Sequence, residues 1–312
     1  MAIKGAKVLV TGGTGQVGGE VAARLAREND TWAIARFTVP GSRDRVEARG
    51  LTTRVCDFTT GDFSGVPEDF DYVVHIAGNL NPATAERGMI DHAEGTALLM
   101  GHCRRAKAFL YISTTGVYYD DLDPYHAFHE TDRLGGHALY PAPHYGPTKL
   151  AAEGVVRGLA LLFGLPSIIV RLNGVYGVSG NGGTLGMILE ALVNGQPVDI
   201  PAGAPRMFCP IHEDDLGEKL LAFLEVATVP ATICNLGGDD MLSTEECARY
   251  MAGQLGIEPV FRRVDDLVIG FGIDNERRRQ LVGACSIGWR DGLRRMIAGR
   301  HPEVELKPAG AV

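Results

Sequence analysis

Through the first 170 residues, short apolar runs alternate with stretches whose apolar positions recur every three or four residues. Lys7-Val8-Leu9-Val10 is an apolar run that ends at a glycine cluster. Val17, Val21 and Leu25 then fall on one helix face, and Asn29-Asp30 stops that helix. Thr31–Ala35, Thr52–Cys56, Tyr72–Ile76, Phe109–Ile112 and Ser167–Val170 predict further strands. Met89–Arg105 and Lys149–Phe163 predict helices. The run at Tyr72–Ile76 is apolar enough to be buried on both faces, as in a parallel sheet. Strand and helix in regular alternation imply right-handed crossovers and a doubly wound α/β (Rossmann) architecture. Ligands of such sheets lie beyond the carboxyl ends of the strands, so candidate chemistry is sought there.

After Arg171 the pattern loosens, with glycine and proline frequent from Gly174 to Pro210. An αβ signal returns over Ile211–Leu236, and Ser243 with Glu246 looks like a capping box. The expected organisation is a core domain over residues 1–172 and 208–236, with a small interleaved C-terminal lobe over 173–207 and 237–312. A net charge of −8 in 312 residues argues against nucleic acid as a partner. The densest basic run, Arg277-Arg278-Arg279, follows Asp274 and Glu276. The apolar stretch Leu159–Val170 is interrupted by Gly164 and Pro166, so no membrane span is expected. None of the six cysteines is spaced as CxxC, and Met1-Ala2-Ile3-Lys4 runs straight into a strand. A cytoplasmic location with free thiols is the expectation.

The glycine cluster reads Thr11-Gly12-Gly13-Thr14-Gly15-Gln16-Val17-Gly18. Between a strand and a helix, this spacing suits a dinucleotide. Gly12 makes the tight turn, Gly15 admits the pyrophosphate and Gly18 packs helix on sheet. Thr14, Gln16 and Val17 complete the candidate contact set, at a helix N-terminus that favours anions. At the end of the second strand stands Arg36, with Arg43 and Arg45 close behind. Arginine suits a ribose 2′-phosphate, so NADP is expected ahead of NAD. After the third strand, Asp57 is placed to accept from the adenine amine and Phe58 to line the ring pocket. After the fourth, Ala77, Gly78 and Asn79 are small enough for the cofactor to cross the sheet edge. His75 itself reads as a packed strand histidine.

Tyr145 and Lys149 are one helical turn apart and share a face, with Pro147 tolerated in the first turn. A nearby ammonium and a positive nicotinamide favour the phenolate, which makes Tyr145 a candidate acid/base. Ser113-Thr114-Thr115 at the end of the fifth strand offers hydroxyls to the substrate oxygen that Tyr145 protonates. Thr114, or alternatively Ser113, is the orienting group; Ser113 also counts as a cofactor contact, as do Tyr145 and Lys149. His126-Ala127-Phe128-His129-Glu130 has no third ligand at helical spacing and reads as a substrate-covering loop, so no metal is expected.

With these residues in hand, the chain resembles an extended short-chain dehydrogenase/reductase of the NAD-dependent epimerase/dehydratase type. The resemblance includes Gly95-Thr96, Ser113–Tyr118, Arg171–Gly177 and Pro210–Leu216 besides the motifs above. It implies Thr114 as the active-site hydroxyl, Tyr145 as acid/base and Lys149 as the partner that lowers its pKa and holds the nicotinamide ribose. It implies a homodimer built from the two predicted helices. Thr115, Asn173 and Arg206 become candidate substrate contacts, and Arg206 resembles a phosphate-binding arginine. Two departures stand out. His92 takes the place of the family's usual helix asparagine, and Thr115-Gly116 replaces the Asp-Glu pair of the 4,6-dehydratases. The expected activity is NAD(P)-dependent hydride transfer at a secondary alcohol or ketone of a small molecule. A nucleotide-sugar epimerase with retained NAD is the alternative, and a cofactor-sensing protein without turnover is the third reading.

Overall fold

The apolar runs become β1 (Lys7–Thr11), β2 (Asp30–Ala35), β3 (Thr52–Val55), β4 (Tyr72–His75) and β5 (Ala108–Thr114). With the strands Ser167–Leu172 and Thr232–Leu236 they form one seven-stranded sheet. This computed structural model describes residues 3–135, 142–265 and 271–308. Strand order is Thr232–Leu236, Ser167–Leu172, β5, β4, β1, β2, β3, and every pairing is parallel. The order reverses at β1, where β2–β3 and β4–β5 depart in opposite directions. That switch point opens the crevice in which such sheets bind ligands.

Side chains alternate across the sheet with the strand period of two. Val8 and Val10 enter one core with Val21, Leu25, Leu216, Leu220 and Phe223. Leu9 enters the other with Phe109, Tyr111, Leu99 and Val156. The first face is covered by α1 (Gln16–Ala26), and the short α2 (Ser42–Glu47) leads into β3. The other carries α3 (Ala85–Met89), a π turn (Ile90–Glu94), α4 (Gly95–His102) and α5 (Tyr145–Phe163). Thr84 Oγ caps α3 by accepting from the Arg87 N–H at 3.0 Å. The helix expected over Met89–Arg105 therefore runs from the end of α3 through one wide, under-wound π turn into α4. α5 starts at Tyr145 rather than Lys149 and ends at Gly164, whose φ of 62° is the left-handed cap that glycine adopts without strain.

Beyond the Ser167–Leu172 strand come α6 (Gly183–Val193), α7 (Glu213–Glu225) and α8 (Thr244–Leu255). α7 covers the first face of the sheet. α6, α8 and the helix Trp289–Arg300 enclose a separate core around Leu189, Met251 and Met296. Ser243 Oγ caps α8 by accepting from the Glu246 N–H at 3.0 Å. Among the described residues no helix is long and apolar enough to cross a membrane. The six cysteines are unpaired.

Candidate active site

The turn between β1 and α1 needs its glycines. Gly12 has φ 76°, and a Cβ there would sit 2.8 Å from the Ala77 nitrogen. A Cβ on Gly18 would sit 2.2 Å from the Gly12 oxygen, so the helix start approaches the turn at backbone distance. Gly15 is open, with only the Gly12 oxygen near, at 3.4 Å. It is the N-cap of α1, has no capping side chain, and no acidic residue follows in the first turn. The N–H groups of that turn are left for an anion, which fits a dinucleotide pyrophosphate. Thr14 and Gly15 are exposed, Val17 packs on the core, and the Gln16 Nε2 is buried with no partner among the described residues.

Behind this cradle runs a chain of hydroxyls and imidazoles. Thr11 Oγ accepts from the Ile76 and Ala77 N–H groups at 3.1 and 3.0 Å. Its own hydrogen therefore goes to His75 Nδ1 at 2.7 Å, and His75 Nε2–H donates to Thr96 Oγ at 2.9 Å. Thr96 in turn donates to the His92 carbonyl. His75 is buried, with both nitrogens engaged, and burial pushes its pKa well below the usual histidine value. It braces the edge that carries Ala77, Gly78 and Asn79.

At the end of the second strand, Arg36 is exposed at the tip of β2. Arg43 is held by Glu47 at 2.9 Å and Thr53 at 2.8 Å. Asp57 accepts from the Thr59 N–H and hydroxyl at 3.1 and 2.7 Å. Burial works against its charge, but those bonds and the Arg36 and Arg87 cations hold it below the usual carboxylate range. Phe58 lies over Gly95, where a Cβ would be 2.7 Å from its ring, and meets His75 edge-on at 5.2 Å.

The centre of the site is the start of α5, which packs along β5 and the Thr115–Val117 turn. Lys149 is buried, donates to the Ile112 carbonyl at 2.7 Å and sits 4.6 Å over the Tyr111 ring. Burial pushes its ammonium down to about 7, partly opposed by the Glu153 charge. Burial also pushes the Tyr145 phenol up to about 12. Lys149 alone therefore does not bring Tyr145 towards neutrality: its ammonium is engaged by the Ile112 carbonyl.

Thr114 Oγ accepts from the Gly116 N–H at 3.1 Å, which leaves its hydrogen free to donate. Ser113 is different: it is buried and donates to Glu153 Oε1 at 2.6 Å. Glu153 pairs with Arg171 through two bonds of 3.1 and 2.8 Å. Arg171 also reaches Tyr118 at 3.1 Å and the Glu130 carbonyl at 3.0 Å, and Tyr118 donates to Asn235 at 2.6 Å. The sequence reading missed Glu153 as a partner of Ser113. Its signal was Arg171, a cation in an otherwise apolar strand that needs a buried counter-charge.

Of the candidate substrate contacts, Asn173 Nδ2 donates to Thr115 Oγ at 3.1 Å and to the Phe271 carbonyl at 2.7 Å. Its oxygen accepts from the Cys209 N–H at 3.0 Å, so these two side chains chiefly knit loops together. Arg206 lies apart from them. Its guanidinium has no hydrogen-bond or ion-pair partner among the described residues, and burial lowers its pKa. It lines both a cavity of about 110 Å³, which also touches Ser243, Thr244 and Arg263, and one of about 100 Å³ beside Leu122. In the loop considered for metal, His126 Nε2 pairs with Asp132 at 2.8 Å and Glu130 accepts from the Asn235 N–H at 2.8 Å. Among the described residues no group of three or more His, Cys, Asp or Glu is placed to hold a metal ion.

The NAD dependent epimerase/dehydratase family model matches residues 8–237. The chain belongs to this family. It is thus an extended short-chain dehydrogenase/reductase enzyme, as the motifs implied. A trifunctional UDP-glucose 4,6-dehydratase/UDP-4-keto-6-deoxy-D-glucose 3,5-epimerase/UDP-4-keto-L-rhamnose-reductase of Arabidopsis thaliana is 22% identical, over 93% of this chain and 46% of that one. The chain spans about half the length of the curated relatives it matches. Among solved structures, UDP-glucuronic acid 4-epimerase from Bacillus cereus, in complex with UDP-glucuronic acid and NAD, has TM-score 0.81 at 19% identity. That match covers 95% of this chain and 99% of the other. UDP-glucose 4-epimerase of Thermotoga maritima, with UDP-glucose, has TM-score 0.81 at 20% identity, covering 95% and 99%. At such identities the structural likeness establishes the fold alone.

Proposed function

We propose that the protein transfers hydride between a nicotinamide dinucleotide and a secondary alcohol or ketone carbon of a small molecule. The observation that carries this reading is the placement of Tyr145 and buried Lys149 one turn apart at the carboxyl edge of the sheet. Lys149 bonds to the Ile112 carbonyl of the strand that ends at Thr114, and its Nζ lies 3.4 Å from where a Gly78 Cβ would sit. When bound, the dinucleotide supplies the carbon that gives or takes the hydride. Tyr145 gives its proton to the ketone oxygen, or takes it from the alcohol. Thr114 donates its free hydroxyl hydrogen to the same oxygen and fixes its orientation. Lys149, together with the positive charge of a bound nicotinamide, would favour the phenolate left on Tyr145. Gly12, Thr14, Gly15, Gln16, Val17 and Gly18 hold the pyrophosphate, with Asp57, Phe58, Ala77, Gly78 and Asn79 along the remainder of the cofactor. Arg36 takes a 2′-phosphate, which makes NADP the preferred form and NAD the alternative.

Epimerisation of a nucleotide sugar uses the same three residues and is the second reading. It is favoured by the unpartnered guanidinium of Arg206, which suits a substrate phosphate, and by the nucleotide-sugar epimerases among the structural relatives. Thr115-Gly116 in place of an Asp-Glu pair argues against water elimination. An intact Tyr145 and Lys149 argue against a sensor without turnover. The test is twofold. Tyr145→Phe should keep dinucleotide affinity while turnover falls by about 10²-fold or more. The nucleotide carried through purification separates the two catalytic readings: tightly retained NAD supports the epimerase and exchangeable NADP the reductase. A protein that binds neither dinucleotide refutes both.

A further inference from the structure

We propose that His92 is a positioning residue that locks the Gly78–Asn79 loop to the first turn of α5 through a permanently uncharged imidazole. The proposal rests on the dinucleotide reading, because that loop is where the cofactor would cross the sheet edge. Each ring nitrogen has a fixed role. Nε2 accepts from the Asn79 N–H at 3.1 Å, a backbone donor that cannot reverse. Thr148 Oγ gives its own hydrogen to the His144 carbonyl at 2.6 Å, so toward His92 Nδ1, at 2.8 Å, it can only accept. One tautomer satisfies both contacts: protonated Nδ1 and bare Nε2.

The surroundings hold that state. His92 Nε2 and Lys149 Nζ lie 3.3 and 3.4 Å from the position a Gly78 Cβ would take. A proton on Nε2 would break the Asn79 bond and set a second cation against Lys149. Tyr145 of α5 faces the ring edge at 5.6 Å, and Asp91, the neighbouring carboxylate of the same turn, accepts from Asn79 Nδ2 at 3.0 Å. His75 lies behind, joined through Thr96 to the His92 carbonyl. Burial first, then the Lys149 charge, pushes the His92 pKa down to about 3 despite Asp91. The π turn Ile90–Glu94 gives this arrangement its geometry. One extra residue shifts the helix register by about 100°, which brings both Asp91 and His92 to the Asn79 side. The loop under the cofactor and the helix carrying Tyr145 and Lys149 are thereby kept at one spacing.

The test separates the two arms of the bridge. His92→Gln keeps an acceptor near the Nε2 position, His92→Asn keeps a donor near the Nδ1 position, and His92→Leu keeps neither. Neither Gln nor Asn spans both arms, so titration calorimetry with NADP+ and NAD+ should place His92→Gln clearly below wild type. His92→Asn and His92→Leu should bind about five- to tenfold more weakly, the effect of one net hydrogen bond. A ¹⁵N ring spectrum, with the His92 signal identified by its loss in His92→Asn, should show the Nδ1–H tautomer unchanged between about pH 5 and 9. A ring that titrates in that window, an Nε2–H tautomer, or a His92→Leu protein that binds as tightly as wild type overturns the proposal. A wild type that binds neither dinucleotide overturns the functional reading instead, and the ring spectrum then decides the bridge by itself.

Discussion

Ser113 Oγ donates to Glu153 Oε1 at 2.6 Å in the interior between β5 and α5, while the adjacent Thr114 hydroxyl keeps its hydrogen. Neighbours on one strand point to opposite faces, so one hydroxyl meets the buried ion pair and the other meets the crevice. Their replacements should separate cleanly. Ser113→Ala should leave Glu153 short of a donor and cost about 1–3 kcal/mol of stability with dinucleotide binding nearly unchanged. Thr114→Val should cost little stability beyond its small cap but lower turnover by about 10²-fold. Urea unfolding and steady-state rates measure the two. The reverse pattern would reassign the orienting hydroxyl to Ser113.

Glu153 and Arg171 are almost fully buried, with side-chain exposures of 2% and 1%. Removing one partner strands the other charge. Arg171→Leu should destabilise by about 3–5 kcal/mol, whereas loss of an exposed pair such as Lys4–Glu28 should cost less than about 1 kcal/mol. Unfolding midpoints with unchanged m-values check both; equal small losses would mean that water reaches the Arg171 pair.

The glycine turn, the alternation of strands and helices and the Tyr145–Lys149 pair were legible because each is local. A strand followed by glycines at fixed spacing, or two residues one turn apart, carries its geometry in the sequence. The Glu153–Arg171 pair was not, since Glu153 on its helix looks like any solvent-facing acid until the strand carrying Arg171 lies beneath it. His92 was visible as a departure from the family, but its role depended on a π turn. Apolar periodicity over Met89–Arg105 reports a helix and cannot register one extra residue within it. Thr115 and Asn173 read as substrate contacts, while the structure joins them to each other across 58 positions.

Lys149 gives a pH dependence of known sign. Its ammonium is lowered to about 7 in the folded protein, against about 10.4 for a free lysine. Between those values the unfolded chain binds a proton that the folded one lacks, so Lys149 makes stability rise with pH. Below about 7 both states hold the proton and the full cost of burying the cation is present. Buried cysteines, their pKa values raised, act in the opposite sense above their free value. The measure is therefore the difference between wild type and Lys149→Met. Unfolding free energies from about pH 7 to 9.5 should climb more steeply in wild type, by up to about 1.4 kcal/mol per pH unit. Parallel curves would show that Lys149 titrates normally in the fold.

The resemblance implies a homodimer through α4 and α5, and these helices carry exposed apolar residues that association would cover. Leu98, Leu161 and Leu162 are 40%, 60% and 73% exposed. Light scattering at micromolar concentration should give twice the 33.4 kDa chain mass. Leu162→Glu should shift it towards the monomer, because a carboxylate in the contact loses its hydration. A wild-type mass of one chain refutes the dimer.

The proposed preference for NADP turns on Arg36. It is exposed at the tip of β2, with no side-chain hydrogen bond among the described residues, and its charge reaches Asp57 through space. Arg43, the nearest rival, is committed to Glu47 and Thr53. Arg36, at the strand end itself, is thus available to meet a 2′-phosphate, with two charge-assisted hydrogen bonds. A free 2′-hydroxyl offers it far less, and Arg36 brings no carboxylate to hold the ribose diol. A partly exposed contact of this kind contributes about 1.5–3 kcal/mol, a preference for NADP of roughly 10- to 100-fold. Arg36→Ala should remove most of that preference by weakening NADP, with NAD affinity nearly unchanged. Raising salt should have the same sense, since an exposed pair is screened. Dissociation constants for both dinucleotides, measured for both proteins by titration calorimetry, decide it. Equal affinities in the wild type, or tighter NAD, would leave Arg36 as an ordinary surface charge and put nucleotide-sugar epimerisation ahead of reduction.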